Sequence, residues 1–338
     1  MSVLELSDIR RVFSRNDGAL DRAMNRVGLG RKAQHLVAVD DVSLRLEPGE
    51  MLGIVGESGC GKSTLGRIAA QLLPASGGTV TWQGRPIAQM PPREARAARR
   101  KIQMVFQNPY ASLNPAMSVA RTILEAPLSH GLIRRRDSAA FLAQMLDKVG
   151  LSPDLADRRP HALSGGQRQR VGIARALAVS PEVVIFDEAV AALDVSVQAQ
   201  ILNLLVDLKA QGGFASMFIS HDLNVVRFIS DRIAILYLGR LVEIADRDTI
   251  FARAHHPYTR ALLAEAPQLG GAKRRFTALK GELPSPLNPP SGCHFHPRCP
   301  HATDLCRSTR PALRDIGAGH RSACHYDLPQ VAPQTQGT

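Results

Sequence analysis

Apolar and polar positions change period several times along this chain. Val3 to Phe13 and Val37 to Leu46 alternate residue by residue, which predicts two half-buried strands. Glu47-Pro48-Gly49-Glu50 then turns the chain into Met51-Leu52-Gly53-Ile54-Val55, a short apolar run of the kind found in buried parallel strands. Leu65 to Leu73 reads as a helix, Gly77 to Pro86 as a hairpin, residues 93–101 as a short charged helix and Ile102 to Phe106 as another buried strand. From Asn108 to about Ala178 the period is helical, with Phe141, Leu142, Met145, Leu146 and Val149 on one face. Val183 to Phe186 is a wholly apolar strand, Val195 to Lys209 an amphipathic helix and Phe214 to Ser220 a further strand. The pattern predicts an α/β domain with a helical insertion. Residues 14–35, polar, basic and glycine-containing, read as a surface loop.

Composition narrows this. A chain of 338 residues, 44% hydrophobic, has room for one large core with a smaller appendage, or for two domains. No apolar run approaches the roughly 18 residues of a membrane span, and no signal peptide is evident, so a cytosolic chain is expected. Its five cysteines are then thiols or metal ligands rather than disulfides. The net charge of +12 raises the question of nucleic acid. The arginine clusters at Arg93 to Lys101 and Arg134 to Arg136 carry no interleaved aromatics, however. They read as solvated helix faces, with docking on an anionic membrane surface as the alternative.

The chemistry begins at Gly56-Glu57-Ser58-Gly59-Cys60-Gly61-Lys62-Ser63-Thr64, which fits the phosphate-binding pattern G-x4-G-K-[ST] between a strand and a helix. Loop amides and the helix dipole favour an anion there, Lys62 adds a full charge for the β and γ phosphates, and Ser63 suits Mg²⁺. Gln107 stands at the carboxyl end of its strand, where ligands of open α/β sheets bind. Leu163-Ser164-Gly165-Gly166-Gln167 opens a helix expected over Val171 to Val179 and forms a second anion site. Asp187-Glu188 ends an apolar strand, a carboxylate for Mg²⁺ followed by one able to polarise water. Ala192-Leu193-Asp194 is a loop, and His221 follows the last strand. Phe13 either stacks on a base or packs in the core.

Taken together and in this order, these residues resemble the ATP-binding subunit of an ABC transporter. The resemblance extends to the oligopeptide/dipeptide permease subfamily through Phe106-Gln107-Asn108-Pro109, Ser112-Leu113-Asn114-Pro115, Leu193 to Gln200, His256 to Leu263 and Gly281 to Cys293. It implies a RecA-like P-loop ATPase core with an antiparallel β subdomain, a helical signature subdomain over about 108–178 and a small cysteine-containing extension. The division expected is an ATPase domain over 1–254 and a C-terminal domain over 255–338.

The resemblance also implies roles. Two such subunits sandwich two ATP molecules, each phosphate loop facing the Ser164 to Gln167 signature of the other. Lys62 and the loop from Gly56 to Thr64 hold phosphates, Ser63, Gln107 and Asp187 surround Mg²⁺, Glu188 activates water, His221 contacts the γ-phosphate and Asp194 belongs to the nucleotide-binding set. Partners implied are a second ATPase subunit, usually a paralogue, two transmembrane permeases and, indirectly, an extracytoplasmic substrate-binding protein. The place implied is the cytoplasmic face of the cell membrane. Ala189 and Ala191 depart from the Pro and the Ser or Thr common in the family.

From His255 the composition turns to Pro, His and Cys. Cys293, Cys299, Cys306 and Cys324, spaced C-x5-C-x6-C-x17-C, sit in a stretch with little apolar material, where a bound metal would supply a cross-link. The spacing does not match a C-x2-C zinc ribbon; resemblance to similar permease tails implies a [4Fe-4S] cluster, with Zn²⁺ or free thiols as alternatives. The function expected is ATP-driven peptide import. The rivals are a soluble ABC ATPase acting on nucleic acid, disfavoured by the single cassette and the lack of a heptad run, an importer of nickel, glutathione or other cargo, and a catalytically dead binding module, disfavoured by Glu188 and His221.

Overall fold

The computed structural model describes residues 2–15, 34–265 and 281–327. Alternation in the N-terminal stretch builds a four-stranded antiparallel sheet. In it β1 (Leu4–Arg15) pairs with β2 (Gln34–Leu46) on one side and β4 (Gly77–Trp82) on the other, and β5 (Arg85–Pro86) completes the hairpin. The β1–β2 ladder runs on into the expected loop, with Ser14 opposite His35 and Arg15 opposite Gln34. Residues 16–33 lie outside the described residues.

The apolar runs form an eight-stranded sheet. Its parallel part, in spatial order, is β6 (Ile102–Val105), β7 (Val183–Asp187), β8 (Ala215–Ser220), β3 (Met51–Val55) and β9 (Arg232–Tyr237). Every residue of β3, β7 and β8 is buried, because both faces of the sheet are covered. Leu52, Ile54, Val183 and Ile185 face a core shared with the antiparallel sheet. Met51, Val55, Val184 and Phe186 face a second core shared with the helices.

Helix α1 (Lys62–Ala69) begins and ends earlier than its hydrophobic period predicts. Gly61, at φ 102°, is its N-cap, so the polar residues Lys62, Ser63 and Thr64 form the first turn, and Gln71 at φ 59° breaks the end. Helix α2 (Pro92–Lys101) starts on a proline, whose missing N–H costs nothing at that position. The helical region is divided by turns into α3 (Pro109–Ser112), α4 (Val119–Ser129), α5 (Ser138–Lys148) and α6 (Gly165–Leu177). Side-chain caps mark three of the starts: Asn108 accepts the N–H groups of Tyr110 and Ala111, Ser118 that of Arg121 and Ser164 that of Gln167. The predicted α5 stripe holds, with Leu146 and Val149 buried and Phe141, Leu142 and Met145 partly so.

After α7 (Val195–Ala210), α8 (Leu223–Ile229) and β9, strand β10 (Arg240–Asp246) runs antiparallel to β9. Then come α9 (Arg247–Arg253), α10 (Pro257–Glu265), α11 (Asp304–Ser308), β11 (Arg314–Asp315) and β12 (Arg321–Ser322). Strands β12 and β11 continue the large sheet beyond β10, and Tyr258 and Phe295 enter the same core as the helices. Glu243, fully buried in β10, ties this region together: its carboxylate accepts the backbone N–H groups of His255 (2.6 Å) and His256 (2.9 Å) and lies 2.6 Å from His320 Nε2.

Candidate active site

The carboxyl ends of the parallel strands gather most of the residues singled out in the sequence. The chain leaves β3 into the loop from Gly56 to Gly61, whose left-handed Gly61 packs so closely that an added Cβ would sit 2.1 Å from the Ala38 carbonyl oxygen. Lys62 is only 4% exposed, and its Nζ donates to the carbonyls of Gly56 (2.7 Å) and Glu57 (2.9 Å), so the ammonium is held inside the loop it serves. Ser58 and Gly59 lie on the exposed rim, and Cys60 is buried in the core beneath, where burial raises its thiol pKa. Thr64 sits half-buried in the first turn of α1.

Ser63 Oγ donates to Asp187 Oδ1 at 2.6 Å, bringing two hard oxygen donors side by side from α1 and β7. That pair suits Mg²⁺, which takes oxygen ligands and is usually held by one or two protein side chains plus substrate phosphate. Burial raises the Asp187 pKa, against the opposing pull of the Ser63 hydroxyl, Arg67 and Lys62. Glu188 follows in left-handed backbone, φ 47°, an uncommon conformation for a residue with a side chain. Its carboxylate accepts from Gln107 Nε2 at 2.7 Å and stands 3.6 Å from His221 Nδ1. Four elements therefore converge on one acidic pair: α1, β7, the segment after β6 and the segment after β8.

The signature residues lie elsewhere. Helix α6 starts at Gly165, earlier than expected, because Ser164 caps it: its hydroxyl accepts the Gln167 N–H (3.2 Å), and the Gln167 side chain accepts the Ser164 N–H (2.9 Å). Gly166 abuts α7, where a Cβ would meet Val197 Cγ1 at 2.5 Å, and Asp194 is the exposed N-cap residue of α7. Among the described residues, no hydrogen bond or ion pair joins Ser164 to Gln167, or Asp194, with the Lys62–Asp187–Glu188 cluster. Ala189 is buried and Ala191 exposed, and neither brings a polar side chain to Glu188. Phe13 is half-buried on β1, opposite Leu36, with the Arg11 guanidinium 4.6 Å from its ring centroid.

Sequence reasoning passed over two neighbours of the phosphate loop. Tyr258 accepts the Glu57 N–H through its phenol oxygen, and Arg298 pairs with the Glu57 carboxylate. The signals were the charge of Glu57 and the tyrosine within His256 to Leu263.

The four tail cysteines carry free thiols and line one apolar cavity of about 20 Å³ with Phe295, Pro311 and Tyr326. Burial, and then the neighbouring cysteines, push the Cys293 thiol up to about 11. The donor set is that of a thiolate-ligated group, but among the described residues no three His, Cys, Asp or Glu side chains are grouped to hold a metal ion.

Comparison with known proteins fits this geometry. The ABC transporter family model matches residues 39–191, and the model for the C-terminal region of oligopeptide/dipeptide transporters matches 242–306. A probable peptide ABC transporter ATP-binding protein of Sinorhizobium fredii is 52% identical over 87% of this chain and 84% of its own length. The chain belongs to the ATP-binding subunits of ABC transporters. It is an ATPase of that class, and the Asp187–Glu188 pair stands at the carboxyl end of β7. The oligopeptide transport ATP-binding protein AppF of Bacillus subtilis is 44% identical over 96% of the chain and 97% of its own. Among solved structures, the dimeric cassette MJ0796 in a post-hydrolysis state with ADP and Pi superposes with a TM-score of 0.60 at 28% identity, covering 72% of this chain and 98% of that one. No helix among the described residues is long and apolar enough to cross a membrane.

Proposed function

We propose that this ABC ATPase powers the import of di- or oligopeptides through a membrane transporter. The observation that carries the cargo is the match of residues 242–306 to the C-terminal region of oligopeptide/dipeptide transporters, joined to relatives named for peptide transport. The chain works as residues 1–254, the ATPase, with 255–338 as a C-terminal domain. It sits at the cytoplasmic face of the cell membrane beside two transmembrane permeases, which receive cargo from an extracytoplasmic binding protein. A second ATPase subunit, a paralogue, completes the pair.

In each site Lys62 and the amides of the loop from Gly56 to Thr64 bind the β and γ phosphates, and Phe13 stacks on the base. Ser63 and Asp187, with Gln107 nearby, hold Mg²⁺, which neutralises phosphate charge when bound. Glu188 takes the proton of the attacking water; Gln107 (2.7 Å) and His221 (3.6 Å) orient its carboxylate, and His221 also contacts the γ-phosphate. Among the described residues, the Ser164 to Gln167 helix start makes no hydrogen bond or ion pair with the phosphate-loop cluster. It binds the γ-phosphate held by the other subunit, with Asp194 at the junction, so ATP links the two subunits and its hydrolysis releases them.

Cys293, Cys299, Cys306 and Cys324 would hold a [4Fe-4S] cluster, which would supply a cross-link in the tail. Four thiols lining one cavity, at a spacing that does not match a C-x2-C zinc ribbon, support this reading over Zn²⁺, although His256, His296, His301 and His325 line the same cavity. Anaerobically purified protein with visible absorbance, iron and sulfide is the expected result, and colourless zinc-loaded protein contradicts it. For the function as a whole, affinity purification from membranes is the test. Permeases and a peptide-binding protein should accompany the chain; recovery with nucleic acid or ribosomes would contradict the proposal.

A further inference from the structure

Glu57 presents a difficulty for the phosphate loop: a carboxylate stands inside a structure that has to attract an anion. The fold answers from the far end of the sequence. Arg298 Nη1 lies 3.0 and 2.9 Å from the two Glu57 carboxylate oxygens, and the Glu57 N–H donates to Tyr258 Oη at 2.9 Å. With Lys62 Nζ on its carbonyl, every polar group of Glu57 is engaged.

The supports are themselves buried. Tyr258 is fully buried at the start of α10, and the Arg298 side chain is 6% exposed against 22% for that of Glu57. Arg298 ends a short turn, His296–Arg298, that lies between Cys293 and Cys299. Its Nη1 also reaches Tyr237 Oη at 3.4 Å. Tyr237, Tyr258 and Phe295 pack ring against ring, with centroids 4.6, 5.3 and 5.4 Å apart, joining β9, α10 and the cysteine-bearing segment beneath the loop.

We propose that Arg298 and Tyr258 are positioning residues for ATP binding. Arg298 cancels the Glu57 charge beside the phosphates, and Tyr258 fixes the direction of the Glu57 peptide, so the C-terminal segment sets both the charge and the shape of the phosphate loop. This rests on reading residues 56–64 as the ATP-binding loop. A mostly buried pair that loses one member leaves an uncompensated charge, here a negative one against the negative ligand.

The test is ATP affinity of the full-length subunit by fluorescent-nucleotide titration, together with kcat and KM of the assembled transporter. Arg298→Ala should weaken affinity and raise KM about tenfold with a much smaller change in kcat, and Arg298→Lys should recover part of the loss. Glu57→Gln placed in the Arg298→Ala background should restore affinity, because no unbalanced carboxylate remains. Tyr258→Phe should raise the Kd about threefold. Lys62→Ala checks the underlying reading: if it binds ATP normally, the phosphate-loop assignment itself fails. If Lys62→Ala abolishes binding while Arg298→Ala lowers only thermal stability, or while Glu57→Gln restores nothing, the positioning role is overturned. Should Arg298→Ala not fold, an unchanged Kd in Tyr258→Phe overturns it alone.

Discussion

At the scale of single residues, the acidic pair at the carboxyl end of β7 is split by environment. Asp187 is buried and bonded to the Ser63 hydroxyl, whereas Glu188 reaches towards Gln107 and His221. In the proposed mechanism, replacing Glu188 by Gln removes the proton acceptor and leaves residues 56–64 unchanged. Hydrolysis by the assembled complex should fall about 10²–10⁴-fold while ATP binding persists and an ATP-bound dimer accumulates on gel filtration. Near-normal turnover would remove Glu188 from its role. The Lys62, Ser63, Asp187 and Glu188 cluster was legible in the sequence because each residue type sits at a fixed offset from an apolar strand end. Arg298 was not, since 241 residues separate it from Glu57 and only tertiary packing brings them together.

At the scale of elements, hydrophobic period identified the strands and helices, and cap chemistry decided where they begin. Helix α6 shows the difference. Its apolar period becomes evident only from Val171, yet the Ser164–Gln167 capping box carries the helix back to Gly165. Likewise the period cannot reveal that β1 and β2 extend through polar residues, because their ladder is held by backbone bonds. The Ser164 cap is structural, the phosphate contact proposed for it is functional, and the two can be separated. Ser164→Ala should cost about 1 kcal/mol in chemical denaturation through loss of the cap. Ser164→Asp keeps a good cap, so stability should hold, but it sets a carboxylate against the partner's phosphate. ATP-driven dimerisation, followed by light scattering with a Glu188→Gln background, should be lost in the Asp variant. Dimers of normal affinity there would contradict the assignment of this helix start to a γ-phosphate.

At the scale of the whole molecule, the C-terminal segment is continuous with the ATPase core: it adds strands to the large sheet and rings to the core, and it bonds the buried Glu243. The composition change at His255 signalled an appendage, but short strands such as Arg321–Ser322 have no readable period, so their place in the sheet was not legible. This junction is acid-sensitive by construction. Burial lowers the His256 pKa from 6.5 to about 4, so the unfolded chain takes up a proton near pH 6.5 that the fold refuses until about pH 4. Glu243 acts in the same direction: burial opposes its charge, but the contacts from His320 and the His255 and His256 amides outweigh it and hold the pKa below the usual 4.5. Its contribution is present above that value and is lost as pH falls through the lowered one. Stability should therefore be full above about pH 6.5 and fall by about 3 kcal/mol towards pH 4 from His256 alone, read as denaturation midpoints across that range. A flat profile would show that these groups titrate alike in the folded and unfolded chain.

The central claim is that ATP hydrolysis at Glu188 is coupled to peptide import. Its most direct measurement is ATP turnover by the complex of this chain, its paired ATPase subunit and its permeases in lipid nanodiscs, titrated with the binding protein with and without peptide. Peptide-loaded binding protein should raise turnover severalfold, nickel or glutathione should not, and Glu188→Gln should remove the rise. Turnover indifferent to peptide, or raised only by another cargo, would contradict it.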